Sequence, residues 1–404
     1  MSKISIKNLT ENELLEFFNE INEKKFRAKQ LFDALYKKRI NSFSEITNFP
    51  AQLINILDKN FTVNSLTVEN IFESNDSSKK ILFNTKDNEF VETVFLPNSQ
   101  MNAKHEATSQ KEKLRVKHTQ SVCVSTMVGC PINCKFCATA KIGFKRNLEV
   151  SEIIDQIFLT DRYLTNKHSF SACKNLDVLH EEIFQKEKLQ VKNRHLSVDN
   201  IVFMGMGEPF LNYENVINSL KIISKNEIIS KKNITVSTVG IPEKIIDFAN
   251  EDLKIKLALS LHSPFDEVRK TLIPVAKKYS IEEILKALDY YYQTTKIPIT
   301  FEYILFKNLN DRDEDVKKLA RISRRFPSKI NIIPFNDISF IDNLNCISSE
   351  GIDLIPATVE EIKIFAKKLY DKNVMAITRK SQGSDIAAAC GQLALSRKIG
   401  SMSF

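Results

Sequence analysis

The chain has 404 residues, 58 Lys and Arg against 50 Asp and Glu, and a formal net charge of +8. Its apolar content of 43% predicts a large buried core, and its length predicts two or three domains. No apolar run reaches the roughly 18 residues that a membrane span needs, so no membrane association is predicted. Seven cysteines behind an opening typical of a cytosolic protein, MSKISIKNLTENELLEFF, argue against a disulfide framework and for metal or redox chemistry in the cytoplasm.

The first 119 residues divide into two predicted parts. Residues 1–60 are charged and have helical periodicity, which predicts an N-terminal helical accessory domain with a basic surface. Residues 61–119 form a predicted β-rich linker, because FTVNSLTVENIF, KKILFNTK and EFVETVFLP alternate like strands. The polar stretch 98–119 has no periodicity and is predicted to be a flexible loop.

From residue 120 onward, strand-sized apolar runs alternate with helical patterns. The strands are SVCVST, NIVFMGM, NITVST, IKLALSLH, ITFEYILF and KINIIPF, and helices are predicted near Val150, Tyr213, Pro242, Ile281, Asp313 and Thr358. Six β-then-α units predict an α/β fold, a partial (β/α)6 barrel over 120–380 with a parallel sheet. Residues 161–197 interrupt the first crossover as an insertion, NVMAITRK adds a last strand, and a polar tail at 381–404 carries Cys390.

Three cysteines follow the first predicted barrel strand, in VGCPINCKFCATAKIGFKR. Cys130, Cys134 and Cys137 have the spacing C-x3-C-x2-C, and they lie where barrel enzymes place their active sites. Three thiolates suit a cubane iron–sulfur cluster with one iron left open for a substrate, and this interpretation is favoured. Two alternatives stay open from spacing alone: a zinc site completed by Cys123, and three packed cysteines without a ligand.

The triplet, with Phe136 before its last cysteine, resembles the signature of radical S-adenosylmethionine (SAM) enzymes. Longer stretches resemble the dual-specificity RNA methyltransferases that methylate C2 of adenine in 23S ribosomal RNA and transfer RNA. The likeness extends from about 85 to 395, and the N-terminal module is similar but looser. The stretches are CVSTMVGC, KFCATAKIGFKRNL, NIVFMGMGEPFLNYENV, ITVSTVGIP, LALSLHSP, NIIPFN and ITRKSQGSDIAAACGQL.

This resemblance implies one [4Fe-4S] cluster per chain, bound by Cys130, Cys134 and Cys137, with SAM chelated to the open iron. It also implies that the SAM contacts lie at strand ends, at Gly207, Glu208, Ser237, Ser260, Leu261, His262 and Asn336. Taken singly, several of these have simpler interpretations: His262 as a core histidine, Ser237 as a cap or loop residue, Glu208 as a helix-start carboxylate.

The resemblance further implies a catalytic role for three residues. Cys390 takes a methyl group from one SAM, and a second SAM supplies the radical that activates this methyl group for addition to the adenine. Glu92 accepts the C2 proton, and Cys123 resolves the adduct by forming a disulfide with Cys390. From the strand pattern alone, Glu92 is simply an outward residue of EFVETVFL. Cys173 and Cys346 are expected to be bystanders.

The implied partners are 23S rRNA, tRNA and a cytosolic electron donor such as flavodoxin, for a protein that acts as a monomer. Candidate phosphate contacts are the basic residues within 24–39 and 111–117, together with Lys141, Lys145, Arg146, Arg379 and Lys380. Two other functions stay open: methylation at C8 of the same adenosine, which confers antibiotic resistance, and a non-catalytic zinc protein that binds RNA. The segments 98–119 and 161–197 are longer than the family pattern, and the segment after Asn336 lacks its Gly- and Pro-rich character.

Overall fold

The computed structural model describes residues 3–97, 119–165, 196–338 and 354–394. Most of the predicted loop at 98–119 and of the insertion at 161–197 lies outside these ranges, as do Cys173 and Cys346. Within the described residues no helix is long and apolar enough to cross a membrane.

One large sheet organises the molecule, with ten strands within the described residues. Its parallel part confirms the predicted α/β barrel. In spatial order these strands are β6 (Ser121–Cys123), β9 (Asn200–Phe203), β10 (Ile234–Thr238), β11 (Lys256–Ser260), β12 (Ile299–Leu305), β13 (Ser328–Pro334) and β14 (Ala376–Thr378). The central strands β9, β11 and β12 carry apolar residues that are buried on both faces.

The sheet continues beyond the barrel as an antiparallel extension. The strands β3 (Leu66–Glu73), β4 (Lys79–Thr85) and β5 (Phe90–Leu96) pair in sequence, and β5 then pairs with β6, where Val94 lies opposite Cys123. The strands predicted as a linker are therefore hydrogen-bonded directly to the first barrel strand. This pairing places Glu92 two residues from the register partner of Cys123.

The helices that follow the barrel strands begin close to the predicted positions. Amphipathic periodicity located them, and capping boxes mark two of their starts, Ser280 with Glu283 and Thr358 with Glu361. The helices are α5 (Val150–Thr165), α6 (Tyr213–Lys225), α7 (Pro242–Asn250), α8 (Asp266–Leu272), α9 (Ile281–Thr295), α10 (Asp313–Ser323) and α11 (Val359–Tyr370). The short α8 was not predicted, because its seven residues carry too little periodicity.

The N-terminal module is helical, as predicted. It contains α1 (Glu11–Glu20), α2 (Lys25–Asp33) and α3 (Ala51–Asn60), and a short parallel pair, β1 (Ile4–Ser5) with β2 (Phe61–Thr62), joins its ends. Lys7 forms a fully buried ion pair with Asp155 of α5, and Arg39 pairs with Asp161 of the same helix at 2.7 Å. These pairs fix the module against the first barrel crossover.

A small hairpin surrounds the cysteine triplet and was not predicted from the sequence. It pairs β7 (Met127–Gly129) with β8 (Phe144–Asn147), and the short helix α4 (Ala138–Ile142) precedes β8. Gly129 has φ +74°, and a Cβ there would lie 1.6 Å from the carbonyl oxygen of Gly143. Only glycine permits this close approach, which closes the base of the cysteine loop.

Candidate functional site

The loop between β7 and α4 carries the three cysteines. Its backbone is fixed by hydrogen bonds from Cys130 N to Gly143 O (3.1 Å) and from Cys137 N to Cys134 O (3.3 Å). Lys135 N donates to Leu272 O of α8 at 3.0 Å, which fixes the centre of the loop against the barrel. Cys134 is buried, whereas Cys130 and Cys137 are half-buried. The loop therefore presents its thiols at a protected surface with some access.

A cavity of about 360 Å³ lies beside this loop. It is lined by residues from three distant parts of the chain: Cys123 on β6, Cys137 in the cysteine loop, and Cys390 in the C-terminal tail. Asn336, which follows β13, also lines it. A volume of this size is within the usual range for small-ligand sites. The fold thus brings together both cysteines outside the triplet that the resemblance singled out.

The C-terminal tail is hydrogen-bonded to the cysteine loop on both sides of Gly391. Ala138 N donates to Gly391 O at 2.7 Å, and the hydroxyl of Thr139 donates to Leu393 O at the same distance. Gly391 has φ +84°, and a Cβ there would lie 3.0 Å from Phe136 O. The tail therefore passes directly over the cysteine loop at the residue after Cys390.

Asn336 fixes the tail at Cys390 itself. Its Nδ2 donates to Cys390 O at 3.1 Å, and its Oδ1 accepts from the hydroxyl of Ser381 at 2.6 Å. In this structure the side chain predicted to contact SAM is engaged with the tail.

The tail is also bound to the turn between β3 and β4. Asp385 accepts from the Ser74 hydroxyl (2.5 Å) and from Asn75 N (3.0 Å), and Gly383 N donates to Asp76 at 2.9 Å. These contacts join residues more than 300 positions apart in the sequence. The antiparallel extension therefore serves as a support for the tail that carries Cys390.

Glu92 lies beneath the tail rather than on the wall of the cavity. It is fully buried, pairs with the equally buried Lys80 at 3.2 Å, and accepts a hydrogen bond from Ala394 N at 3.0 Å. Lys80 in turn donates to Ala387 O at 3.3 Å. Burial lowers the pKa of Lys80, and the charge of Glu92 opposes this effect. The predicted outward position of Glu92 on its strand is wrong, because the tail and β4 cover it.

The environment of the two cavity cysteines disfavours their thiolates. Burial raises the pKa of Cys123 to about 12, and the charge of Cys390 raises it further. Burial also raises the pKa of Cys390, although nearby Arg379 opposes that shift. Both thiols are therefore protonated at neutral pH, and each must lose a proton before it acts as a nucleophile. Both side chains line the same cavity.

Gly207 and Glu208 follow β9, at the edge of the barrel. Gly207 has φ +101°, and a Cβ there would lie 2.7 Å from the Met127 side chain. Glu208 is almost fully buried, and its two oxygens accept from Phe210 N (3.1 Å) and Val239 N (2.8 Å). Burial raises its pKa to about 7. The carboxylate caps a helical turn, yet it retains lone pairs for a ligand ammonium group.

The remaining predicted SAM contacts lie at the ends of β10 and β11. The hydroxyls of Ser237 and Ser260 are 3.5 Å apart, and Leu261 is fully buried. His262 has φ +53°, its Nδ1 accepts from Ile304 N at 3.0 Å, and its ring meets that of Phe136 edge-on at 4.7 Å. Burial lowers the pKa of His262 to about 3, so the ring is neutral. His262 thus links the strand ends to the cysteine loop.

Three thiols in one loop are the soft donors that an iron–sulfur cluster takes. Within the described ranges, no three His, Cys, Asp or Glu side chains converge closely enough for a single metal ion. Tetrahedral zinc would hold its sulfurs about 3.8 Å apart, as follows from Zn–S bonds of about 2.3 Å, whereas a cubane needs a wider set. Burial raises the pKa of Cys130 to about 12 and also raises that of Cys137, so bound iron would have to stabilise these thiolates. The residues present therefore fit the cluster.

Two predicted phosphate contacts are already engaged by carboxylates. Arg146 binds both Asp87 and Glu152 through two hydrogen bonds to each, at 2.6 to 2.8 Å. Lys145 binds Glu89 at 2.6 Å. These acidic partners, in the β4–β5 turn and on α5, were not foreseen from the sequence, and the phosphate contacts stay a prediction. Arg379 and Lys380 line the cavity itself.

Sequence reasoning missed several residues that organise the site. Lys80, Asp76 and Asp385 support the tail, and Arg269 on α8 lies fully buried near the cysteine loop. The sequence did not indicate that Lys80 is buried, because a lysine inside the alternating run KKILFNTK is expected at the surface. Its significance appears only when the tail is placed against it.

Comparisons with known proteins agree with this geometry. The radical SAM superfamily model matches residues 124–320, and the model of the ribosomal RNA large subunit methyltransferase N-terminal domain matches residues 4–63. The chain resembles a solved radical SAM methyltransferase from Sphaerobacter thermophilus, with a TM-score of 0.76 and 30% identity. This match covers 96% of this chain and 98% of the other.

Curated relatives match along almost the whole chain. The probable dual-specificity RNA methyltransferase RlmN of Listeria welshimeri is 36% identical over 397 residues, which are 97% of this chain and 94% of the Listeria protein. The protein of the same name from Streptococcus thermophilus is 35% identical over 395 residues, 97% of this chain and 88% of the relative.

The barrel, the cysteine loop and these matches define a radical SAM enzyme. This class binds a [4Fe-4S] cluster and SAM. The chain belongs to the RlmN family of radical SAM RNA methyltransferases, and its substrate is RNA.

Proposed function

We propose that the protein methylates C2 of an adenosine in 23S rRNA and in tRNA, through an S-methylcysteine on Cys390 and a transient disulfide with Cys123. The observation that carries the proposal is the shared cavity. Two cysteines that the cluster does not need, one from a strand and one from the tail, face it together with Cys137. The Listeria and Streptococcus relatives bear the name of dual-specificity RNA methyltransferases, which supports both RNA substrates.

The cofactor site would be formed by the cysteine loop and the strand ends. Cys130, Cys134 and Cys137 would hold one [4Fe-4S] cluster, and Glu208 would accept the ammonium group of SAM. The cluster and SAM together supply, when bound, a 5′-deoxyadenosyl radical that removes hydrogen from the methyl group on Cys390. Gly207 would allow the backbone to approach SAM closely, with Ser237, Ser260, Leu261, His262 and Asn336 as the further contacts.

The chain's own residues carry the remaining chemistry. The Cys390 sulfur loses its proton and attacks the methyl carbon of a first SAM, which leaves as S-adenosylhomocysteine. A second SAM is consumed in the radical step, so two are used per turnover. After the methylene carbon joins the adenine, the radical adduct must lose one electron, which the oxidised cluster would accept, and Glu92 takes the C2 proton. The Cys123 thiolate then attacks the Cys390 sulfur and forms a disulfide, and the released methylene carbon takes up a proton to become the methyl group of the base. A cytosolic thiol must return two electrons to that disulfide.

The target adenosine must be unpaired or flipped out, because a stacked base cannot reach the cavity. Arg379 and Lys380 on the cavity wall are suited to the adjoining phosphates. We place the enzyme in the cytoplasm as a monomer, with a small electron-transfer protein such as flavodoxin as the reductant.

The position of methylation is tested by mass spectrometry of nuclease-digested 23S rRNA and tRNA after anaerobic reaction with the reconstituted protein. We expect 2-methyladenosine in both RNAs. Formation of 8-methyladenosine alone would overturn the proposal in favour of C8 methylation. A colourless protein with stoichiometric zinc and no sulfide would reject the radical chemistry altogether.

Substitution of each cavity cysteine separates their roles. Cys390→Ala should abolish methylation and leave the iron and sulfide content unchanged, because this thiol accepts the methyl group and does not bind the cluster. The predicted bystander variant Cys173→Ala is the matched control and should retain activity. Measurable methylation by Cys390→Ala would exclude the S-methylcysteine intermediate.

Cys123→Ala should trap the covalent protein–RNA adduct, since nothing then attacks the Cys390 sulfur. A band of protein crosslinked to RNA on denaturing gels, sensitive to nuclease, is the expected readout. The double variant Cys123→Ala/Cys390→Ala is the control and should give no band. Free product without any adduct from Cys123→Ala would contradict the resolving role.

A further inference from the structure

Arg269 on α8 is a buried cation without an anionic partner among the described residues. It is fully buried, and its bonds go to neutral carbonyls: Nε donates to Leu261 O at 3.2 Å, and Nη2 donates to Val239 O and to Ser260 O. Its Nη1 has no hydrogen-bond partner in the described part of the chain. A buried guanidinium without a carboxylate destabilises the fold, so its retention requires an explanation.

The position of Arg269 supplies that explanation. The last carbonyl of its helix, Leu272 O, accepts from Lys135 N, the residue next to Cys134. Cys134, Leu272 and Val239 belong to one apolar cluster that excludes water. Burial lowers the pKa of Arg269 to about 10, and the Cys134 thiolate is the strongest charge opposing that shift, ahead of Asp266. Arg269 is therefore charged at neutral pH and lies within electrostatic reach of a cluster ligand.

We propose that Arg269 is the buried counter-cation of the iron–sulfur cluster, with its unpartnered Nη1 directed toward the cluster's sulfur atoms. A [4Fe-4S]2+ cubane with three thiolates has a net charge of −1, and reduction makes it −2. A nearby cation in a low-dielectric site stabilises both charges, and the reduced one more. Arg269 thus favours cluster retention and raises the reduction potential. The inference depends on the family's cluster and not on which adenine carbon is methylated.

Arg269 also has a positioning role, which the test must separate from the charge. Its three accepting carbonyls follow β10 and β11, next to the serines expected to contact SAM. A purely structural role requires hydrogen-bond donors and not a positive charge. Arg269→Gln keeps donors and removes the charge, whereas Arg269→Lys keeps both.

The test is an EPR-monitored redox titration of anaerobically reconstituted wild type and both variants, with iron and sulfide analysis. We expect a more negative midpoint potential in Arg269→Gln and a nearly wild-type potential in Arg269→Lys. Arg325→Gln, which removes a surface arginine paired with Glu282 and Asp289, is the control and should leave the potential unchanged. An unchanged potential in Arg269→Gln would overturn the inference.

Loss of the cluster from either variant is a second test of whether the cluster requires the positive charge of Arg269. If Arg269→Gln loses iron and sulfide while Arg269→Lys retains them, the charge is what the cluster requires. If both variants lose them, geometry is the cause and the inference is wrong. In the absence of the cluster, the buried charge of Arg269 destabilises the fold. Arg269→Gln lacks that charge and should therefore fold normally, as judged by circular dichroism. A cofactor-free Arg269→Gln chain that fails to fold would show a structural role and overturn the inference.

Discussion

His262 shows how a single residue fixes its own protonation state. Its Nδ1 accepts a hydrogen bond from a buried backbone amide, and its ring is enclosed against Phe136. Protonation would place a donor against that amide and a charge in an apolar site. The neutral ring, with its proton on Nε2, is therefore part of the folded structure.

We predict that His262 makes stability depend on pH below neutrality. Because its folded pKa of about 3 is below the ordinary 6.5, its contribution is complete above pH 6.5 and is lost as pH falls toward 3. His262→Asn keeps an acceptor and tolerates the positive φ, yet does not titrate. Between pH 7 and pH 5 the unfolding free energy of cofactor-free wild type should fall about 2 kcal/mol more than that of the variant.

Urea titrations at several pH values measure this difference. The measurement at pH 8 is the control. A lower free energy of unfolding in the variant at that pH reflects packing against Phe136 and not protonation. If the free energies of unfolding of the two proteins depend on pH in the same way, protonation of His262 does not contribute to the pH dependence.

At the scale of elements, the C-terminal tail is held by single hydrogen bonds and not by the ladder of a β-sheet. Asp76 and Asp385 hold one end against the β3–β4 turn, and Thr139 and Ala138 hold the other against the cysteine loop. Each such bond is worth about 1 kcal/mol, so the tail opens far more readily than the barrel. The proposed methyl transfer and adduct release both need such movement.

Cys390 is an exposed residue whose side chain lines the cavity, and we predict that loosening the tail makes its thiol more reactive by freeing it from the cavity wall. Asp76→Ala/Asp385→Ala removes the bonds to Ser74, Asn75 and Gly383, and we expect Cys390 alkylation by iodoacetamide to become roughly tenfold faster. Peptide mass spectrometry of cofactor-free protein measures the rate at each cysteine. Asp58→Ala, on the exposed face of α3, is the matched control and should leave the rate unchanged. Equal rates for all three proteins would mean that these bonds do not restrain the tail.

The sequence predicted the barrel well because short stretches of the chain carry the signals for its helices and strands. Helix starts such as Ser280 and Thr358 carry capping residues three positions apart, and the strands are apolar runs of ordinary length. The β7–β8 hairpin was missed because its strands are three and four residues long and depend on the approach of Gly129 to Gly143. The tail contacts join residues about 300 positions apart, and no local pattern encodes such a pairing.

At the scale of the whole molecule, the N-terminal module and the barrel share one core. Asp155 of α5 is fully buried, pairs with Lys7, and accepts from Ser65 N at 2.5 Å. Burial lowers the pKa of Lys7, and Asp155 opposes that shift. One carboxylate thus joins the first residues of the module to the start of β3 and to the first crossover of the barrel.

We predict that Asp155→Ala destabilises the entire molecule by about 3–5 kcal/mol, because it leaves Lys7 buried and unpaired. Replacing both partners, in Lys7→Met/Asp155→Leu, should recover much of this loss. Urea unfolding followed by circular dichroism measures both. Asp58→Ala, at an exposed position of α3, is the control. If the single variant unfolds in two separated transitions, with the barrel unchanged, the shared core does not behave as one cooperative unit.

The two cavity cysteines differ in how they are anchored, and this has a consequence for redesign. Cys123 belongs to a strand bonded to neighbours on both sides, whereas Cys390 is carried by a segment without regular structure. On the proposed chemistry, Cys123 is a fixed thiol that releases the product, and Cys390 carries the alkyl group on a tail that can move. An effort to install a larger alkyl group on RNA should therefore vary the length and composition of the tail between Ser381 and Leu393. Cys123 can be left unchanged, because it never carries the alkyl group.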